Sequence, residues 1–394
     1  MDPAILRAWW AAKQGLDGSL AGASPAQVLE RCGWARSVGG VAPYLTLFSR
    51  AGVSREAADH SAAALEIHEL PAARNCTYVV PASAFALALK AGRRFNNDRK
   101  ELLKLGVTGK EIDKLCAAVL KGLARAPLEP DEIREAAGGA VRSLGPEGVK
   151  RGMSSALPAA LGILQTEAEI RRIPVNGRFD QQRYRYALWN PNPLAACKLT
   201  EEQAFTELAR RYFRWIGPAT VAEFQWFSGL GVKTAKAAIE PLGLVPLDPD
   251  NGRLLFPEER EALMRFRVPK EPSYALTAGI DSLVLLRRDH VSLLDPRDAA
   301  RKVMGEKLAQ PLGSIGDLPS HGIFDRGRLI GLWEFDPASE SIAWMSFVAK
   351  TAALKQAVSA TEAFVRGQLG DARSFSLDSP KSRAPRITAL RAAV

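Results

Sequence analysis

TEEQAFTELARRYFRWIGPATVAEFQWFSGLGVKTAKAAIEPLGLVPLDPDNGRLLFP, residues 200–257, is the stretch on which the fold turns. Thr200-Glu201-Glu202-Gln203 reads as a helix start, with a hydroxyl to accept from a free amide and acids in the first turn. Phe205, Leu208, Ala209, Tyr212 and Phe213 then recur at helical spacing until Gly217-Pro218 stops the run. Thr220 caps a second helix over 221–228, whose apolar face carries Val221, Phe224 and Phe227. Gly229-Leu230-Gly231 makes a tight connection to a third helix over 232–239. Two short apolar runs, 244–247 and 253–256, flank the turn Asp248-Pro249-Asp250-Asn251-Gly252 and predict a hairpin. Helix, tight turn, helix and hairpin in this order is the winged-helix layout, in which one helix enters the major groove and the wing reaches the DNA backbone.

Working outward, the same layout recurs twice more. Pro130, Gly145 and Ser154 open three helices, and 170–175 and 183–188 form a hairpin around Asn176-Gly177. Nearer the start, Ser24-Pro25 and Ser54-Arg55 open helices, and 65–67 pairs with 77–80. A basic stretch from Arg93 to Lys104 joins these two copies. Past Lys270 the texture changes. Residues 274–286 read as extended, 320–348 as a β-meander, and 351–369 as an amphipathic helix, with a frayed Ser/Pro/basic tail from Ser374. The expected class is therefore α+β: three tandem winged-helix units (1–92, 93–197 and 198–270) followed by a β-barrel-like domain with a terminal helix (271–394).

Length and composition agree with a multidomain globular chain: 394 residues, 47% hydrophobic and 24% charged. No apolar run is long enough to span a bilayer and the start lacks a signal-peptide layout, so no membrane is expected and the cytoplasm, at the bacterial nucleoid, is the expected location. The four cysteines and four histidines are scattered without metal-ligand spacing, so neither a metal, nor another cofactor, nor a disulfide framework is expected. The net charge of +10 raises the expectation of a polyanionic partner.

Lys233, Thr234 and Lys236 stand where a recognition helix meets DNA, and as lysines they suit phosphates better than bases. Arg171, Arg172, Arg178, Arg183 and Arg185 crowd one hairpin. Period-two alternation puts Arg183 and Arg185 on one face and Tyr184 and Tyr186 on the other. Arg74 lies in the polar tip of the first hairpin. A solvated surface is the alternative reading for the lysines and for the arginines of the second hairpin. The glycine-rich loop around Gly39-Gly40 permits close backbone approach but lacks the Gly-Lys-Ser/Thr ending of a phosphate-binding P-loop. His321, beside a strand, reads as a satisfied core histidine.

The chain resembles the tandem winged-helix family of crosslink-repair DNA glycosylases, the AlkZ- and YcaQ-like proteins. The resemblance rests on Ala42-Pro43-Tyr44-Leu45, on Arg74 to Pro81, on 208–213 with Gly217-Pro218-Ala219-Thr220, and on 325–333. It implies three winged helices around a DNA channel, capped by a C-terminal β-barrel. Active members resemble one another in a Gln-x-Gln or Gln-x-Asp motif before Ala-Pro-Tyr. Here Ala35-Arg36-Ser37-Val38 stands in that place, with neither amide nor carboxylate, and Arg36 can hold a phosphate instead. The expectation is a monomeric protein that binds double-stranded, including damaged, DNA in repair or damage recognition. Two alternatives stand beside it: an active glycosylase for alkylated or crosslinked bases that uses Glu66 or Glu69, and a winged-helix transcription regulator.

Overall fold

The structure, a computed structural model, describes residues 1–305 and 308–393. Its helices begin where the sequence supplies caps. Thr200 accepts from the Gln203 amide at 3.2 Å while the Gln203 side chain accepts from the Thr200 amide at 2.9 Å, so two orphan donors are satisfied reciprocally and Glu201–Ile216 starts cleanly. Thr220 and Glu223 repeat the device ahead of Val221–Ser228. Gly229, at φ 77°, ends that helix in the left-handed region that glycine adopts without strain.

Three segments share one strand order. In the first, Pro25–Cys32, the strand Ala35–Arg36, Ala42–Ala51 and Arg55–Ala63 lead into a hairpin of Ile67–Pro71 and Thr77–Pro81, and the short first strand pairs with the last. In the third, Ala219–Thr220 pairs with Arg253–Leu255, which pairs with Val245–Pro246. In the second, Ile170–Pro174 pairs with Tyr184–Leu188, and the first strand shrinks to one bridge between Leu128 and Tyr186. The second segment also has an amphipathic helix, Gly109–Leu123, that the sequence reading overlooked between the connecting stretch and Pro130.

Three hydrophobic cores underlie this arrangement. One belongs to the second segment alone, built from Leu102 to Ile170. Another joins the first hairpin to the helices of the third segment, with Trp34, Tyr212, Trp215 and Phe227 at its centre. The remaining core joins the first segment to the C-terminal sheet through Tyr44, Leu276, Trp333 and Phe364. Across that junction Arg50 and Asp281 form a fully buried ion pair at 2.7 Å. The opening helix, Pro3–Lys13, reaches the third segment as well. Trp9 and Trp10 donate to the carbonyls of Gly217 and Pro218 at 2.9 and 3.2 Å, and Lys13 meets Glu259 at 2.7 Å.

Three C-terminal expectations need correction. The sheet is four-stranded, antiparallel and open, in the order Ser341–Ser346, Arg328–Asp336, His321–Asp325, Tyr274–Thr277, and it closes into no barrel. Only Tyr274–Thr277 of the stretch expected to be extended is a strand, because Asp281 caps a helical turn at Ser282–Leu285. Residues expected to fray instead form a helix, Pro380–Ala392. Arg383, fully buried, bonds both oxygens of Asp371 at 2.8 Å, and Arg386 bonds Glu334 at 2.8 Å and Asp378 at 3.0 Å. Paired in this way, the basic residues hold the helix against the sheet. No described helix is long and apolar enough to cross a membrane.

Candidate nucleic-acid interface

The first hairpin meets both other segments, through Arg74 against Trp226 and Glu69 against Arg172. Its tip is tight: Arg74 and Asn75 both adopt left-handed backbone, at φ 58° and 55°. Non-glycine residues hold that conformation only where their surroundings impose it. Here the Arg74 side chain runs over the Gly229 turn, where an added Cβ would come within 2.6 Å of the arginine chain. Its guanidinium donates to the Trp226 carbonyl at 3.0 Å and lies 4.6 Å from the Trp226 ring centre. Arg288, itself at φ 51°, approaches the same ring at 5.2 Å. Arg36 donates to the Thr77 carbonyl at 2.6 Å and sits 5.3 Å from the Tyr78 ring.

These three arginines line one cleft of about 820 Å³, together with Tyr78, Trp226 and Phe375. Arg288 is paired with Asp317 at 2.7 Å, whereas Arg36 and Arg74 form no salt bridge among the described residues. Aromatic faces orient the two guanidiniums without neutralising them, which leaves their charge available to an anion.

The second hairpin is arranged differently. Arg172 reaches Glu69 of the first hairpin at 3.0 Å and lies 4.4 Å from the Tyr184 ring. Glu69 is buried, and its other oxygen accepts from the Ser37 hydroxyl at 2.5 Å. Arg178 is held by Asp180 at 2.9 Å and by the Leu369 carbonyl at 3.0 Å. Arg171 is half-buried, and loss of water lowers its pKa. Arg183, 76% exposed, touches Glu129 at 3.3 Å. Arg185 is exposed and unpaired among the described residues, while Tyr184 and Tyr186 on the alternate face are half-buried. Lys233 and Lys236 project from the exposed side of Val232–Ile239, with Thr234 partly covered and Ala235 and Ala238 buried beneath.

A family model described as "DNA glycosylase AlkZ-like" matches residues 37–370. The chain belongs to that family. Among solved structures it is similar to the Streptomyces sahachiroi DNA glycosylase AlkZ, at 19% identity and a TM-score of 0.69, over 94% of this chain and 98% of that one. That likeness is one of fold. No curated protein sequence matches the chain.

Within this AlkZ-like chain the loop Ala35-Arg36-Ser37-Val38 divides its roles. Ala35 is buried, Arg36 faces the cleft, and Ser37 turns inward to Glu69. Behind it Gly39, at φ 72°, packs on the Gln182 side chain, which an added Cβ would approach to 2.5 Å. Glu66 is exposed and accepts from Ser61 at 2.5 Å. His321 is buried, with its ring nitrogens bonded to the Gly279 amide at 3.1 Å and the Ala372 carbonyl at 2.7 Å. Sequence reasoning brought Arg36 and Arg74 to attention but missed Arg288, Trp226 and Phe375. Their signal was weak: isolated residues from three distant segments that only the shared cores bring together.

Proposed function

We propose that this protein is a monomeric, double-stranded-DNA-binding member of the AlkZ-like family that recognises damaged DNA, with base excision weak or absent. In this reading each of the three repeated segments is a winged helix, and the unit boundaries fall near residues 92, 197 and 270. One observation carries the binding: two guanidiniums, Arg36 and Arg74, that form no salt bridge among the described residues and lie against Tyr78 and Trp226 in the lining of a cleft. Such groups take a phosphodiester backbone and release its counterions, and Lys233, Lys236 and Arg185 extend the contact along the duplex.

The weak excision follows from what surrounds the loop. Breaking a glycosidic bond needs help for the departing base and a water aimed at the sugar carbon. Arg36 has the wrong sign for a cationic sugar. Glu69 is buried between Ser37 and Arg172, where it stabilises their positions and does not face a substrate. Absence of a positioned base typically costs about 100- to 10,000-fold in rate.

Titration of the pure protein against plain, abasic and alkylated duplexes, with released base measured in parallel, tests both halves. Affinity should fall at least about tenfold between 50 and 200 mM salt, with base release near background. Salt-independent binding would remove the electrostatic mode. Rapid multiple turnover that disappears in Glu66→Ala or Glu69→Ala would establish an active glycosylase.

A further inference from the structure

The segment after Gly370 runs across the loop of the first unit. Val41 donates to the Arg373 carbonyl at 3.0 Å, and Ser376 donates to the Val38 carbonyl at 3.1 Å. Gly40 permits this approach, since an added Cβ would come within 2.2 Å of the Ser374 carbonyl. Between these anchors the chain reverses. Asp378 donates to the Phe375 carbonyl at 3.0 Å, and its buried carboxylate pairs with Arg386 at 3.0 Å. Arg373 ties the near side to the Asp180 carbonyl at 2.5 Å. The turn is thus fixed at both ends.

Its tip has an unusual composition. Turn positions ordinarily hold Gly, Asn, Asp or Ser, which satisfy the backbone locally and face water at low cost. Here Phe375 is 42% and Leu377 86% exposed, although many apolar residues close by are buried. Phe375 lines the same cleft as Arg36, Arg74 and Arg288. Phe375 beside cations that would hold a phosphate backbone, with Leu377 two residues further along the same anchored turn, is the arrangement of a side-chain wedge. Apolar side chains inserted at a base step unstack it at a cost of a few kcal/mol, which bound backbone contacts offset.

We infer that Phe375 and Leu377 form a wedge that enters the base stack of the bound duplex and gives the protein its preference for sites where stacking is already weak. The inference rests on the DNA-binding reading above. The turn lies just beyond residue 370, where the family match ends. Charge fixes the choice of occupant: the arginine-lined cleft suits a polyanion, and base faces are the apolar surface that a polyanion offers.

The test uses the full chain and duplexes that carry 2-aminopurine beside a matched, mismatched or abasic position. On saturation with wild-type protein, probe emission should rise severalfold as the base unstacks, and the abasic duplex should bind about tenfold tighter than the matched one, since unstacking there costs least. In Phe375→Ala/Leu377→Ala, emission should stay at the free-duplex level and the abasic preference should shrink to within about twofold. Matched-duplex binding without an emission change in the wild type would overturn the wedge and leave the DNA-binding reading intact. So would an unchanged abasic preference in the double variant. A wild-type dimer that the double substitution converts to monomer would assign the patch to a second copy of the chain and overturn it also. Failure of the wild type to bind any duplex would overturn both.

Discussion

The first and second hairpins carry their arginines to opposite effect. The second is rich in them: Arg171, Arg172, Arg178, Arg183 and Arg185 all lie on or between its strands. Yet Arg172 is committed to Glu69, Arg178 to Asp180, and Arg171 is half-buried. The first hairpin offers a single arginine at its tip, Arg74, held by a carbonyl and an aromatic ring and opposed by no carboxylate among the described residues. The charge presented to a polyanion thus depends less on how many cations a segment contains than on which of them meet acids. In the second hairpin Arg172 and Arg178 hold the protein together, whereas Arg74 in the first meets no acid among the described residues.

The largest effect should separate these roles by stability. Arg172→Ala leaves Glu69 buried without its cation, and breaking a buried pair on one side costs about 3–5 kcal/mol. Urea denaturation should show a loss near the lower end, because Arg172 is 19% exposed, with partial recovery when Glu69→Gln is added. A loss under about 0.5 kcal/mol, the range of ordinary surface changes, would make the second hairpin's arginines as free as the first's.

Next comes DNA affinity. Arg36→Ala/Arg74→Ala should weaken duplex binding by about 10- to 100-fold and lower the log–log salt slope by nearly 2, since each lost phosphate contact removes about 0.9. Unchanged affinity in the folded double variant would move the interface away from the cleft.

The first hairpin also carries a pH-dependent contact with the second segment. Burial against Phe85 and Trp189, with Arg171 and Arg172 nearby, lowers the pKa of His68 from its ordinary 6.5 to about 3. The folded protein therefore keeps this ring neutral where the unfolded chain protonates it. Stability is full above 6.5 and falls as pH drops from 6.5 toward 3, by up to about 1.4 kcal/mol per pH unit. His68→Gln should flatten that slope by about one proton in denaturation measured between pH 7 and 5. An identical slope in the variant would show that the ring charges in the folded state.

The smallest expected effect belongs to Arg183→Ala/Arg185→Ala. Loss of exposed phosphate contacts on this hairpin should weaken binding by about three- to tenfold, equally on all sequences, with stability unchanged within about 0.5 kcal/mol. Sequence-dependent losses would make this hairpin a reader of bases, and no loss would turn it away from DNA.

Much of the fold was legible where the signals were local. The caps at Thr200 and Thr220, the glycine turn at 229–231 and the Asp-Pro-Asp-Asn-Gly reversal each act within a few residues, and the third segment forms as they dictate. The strand at Ala35–Arg36 is too short to show a period, and the terminal helix looked disordered because Arg383 and Arg386 depend on Asp371, Glu334 and Asp378, partners 8 to 52 residues away. The candidate site was legible in part for the same reason. Arg36 and Arg74 advertise charge, but nothing near Arg288 or Phe375 in sequence places them in the same cleft.

The opening helix has a consequence for how the chain is made. Trp9 and Trp10 bond to the carbonyls of Gly217 and Pro218, 208 residues further on. At synthesis rates of about 5–20 residues per second, this helix waits on the order of 10 to 40 seconds for its docking site to be made. Throughout that interval two indole rings face the solvent or a chaperone. Assembly of the first and third segments is therefore held until residues 217 and 218 have been translated. Nascent chains arrested before residue 217 should be the ones most readily captured by chaperones or lost to aggregation.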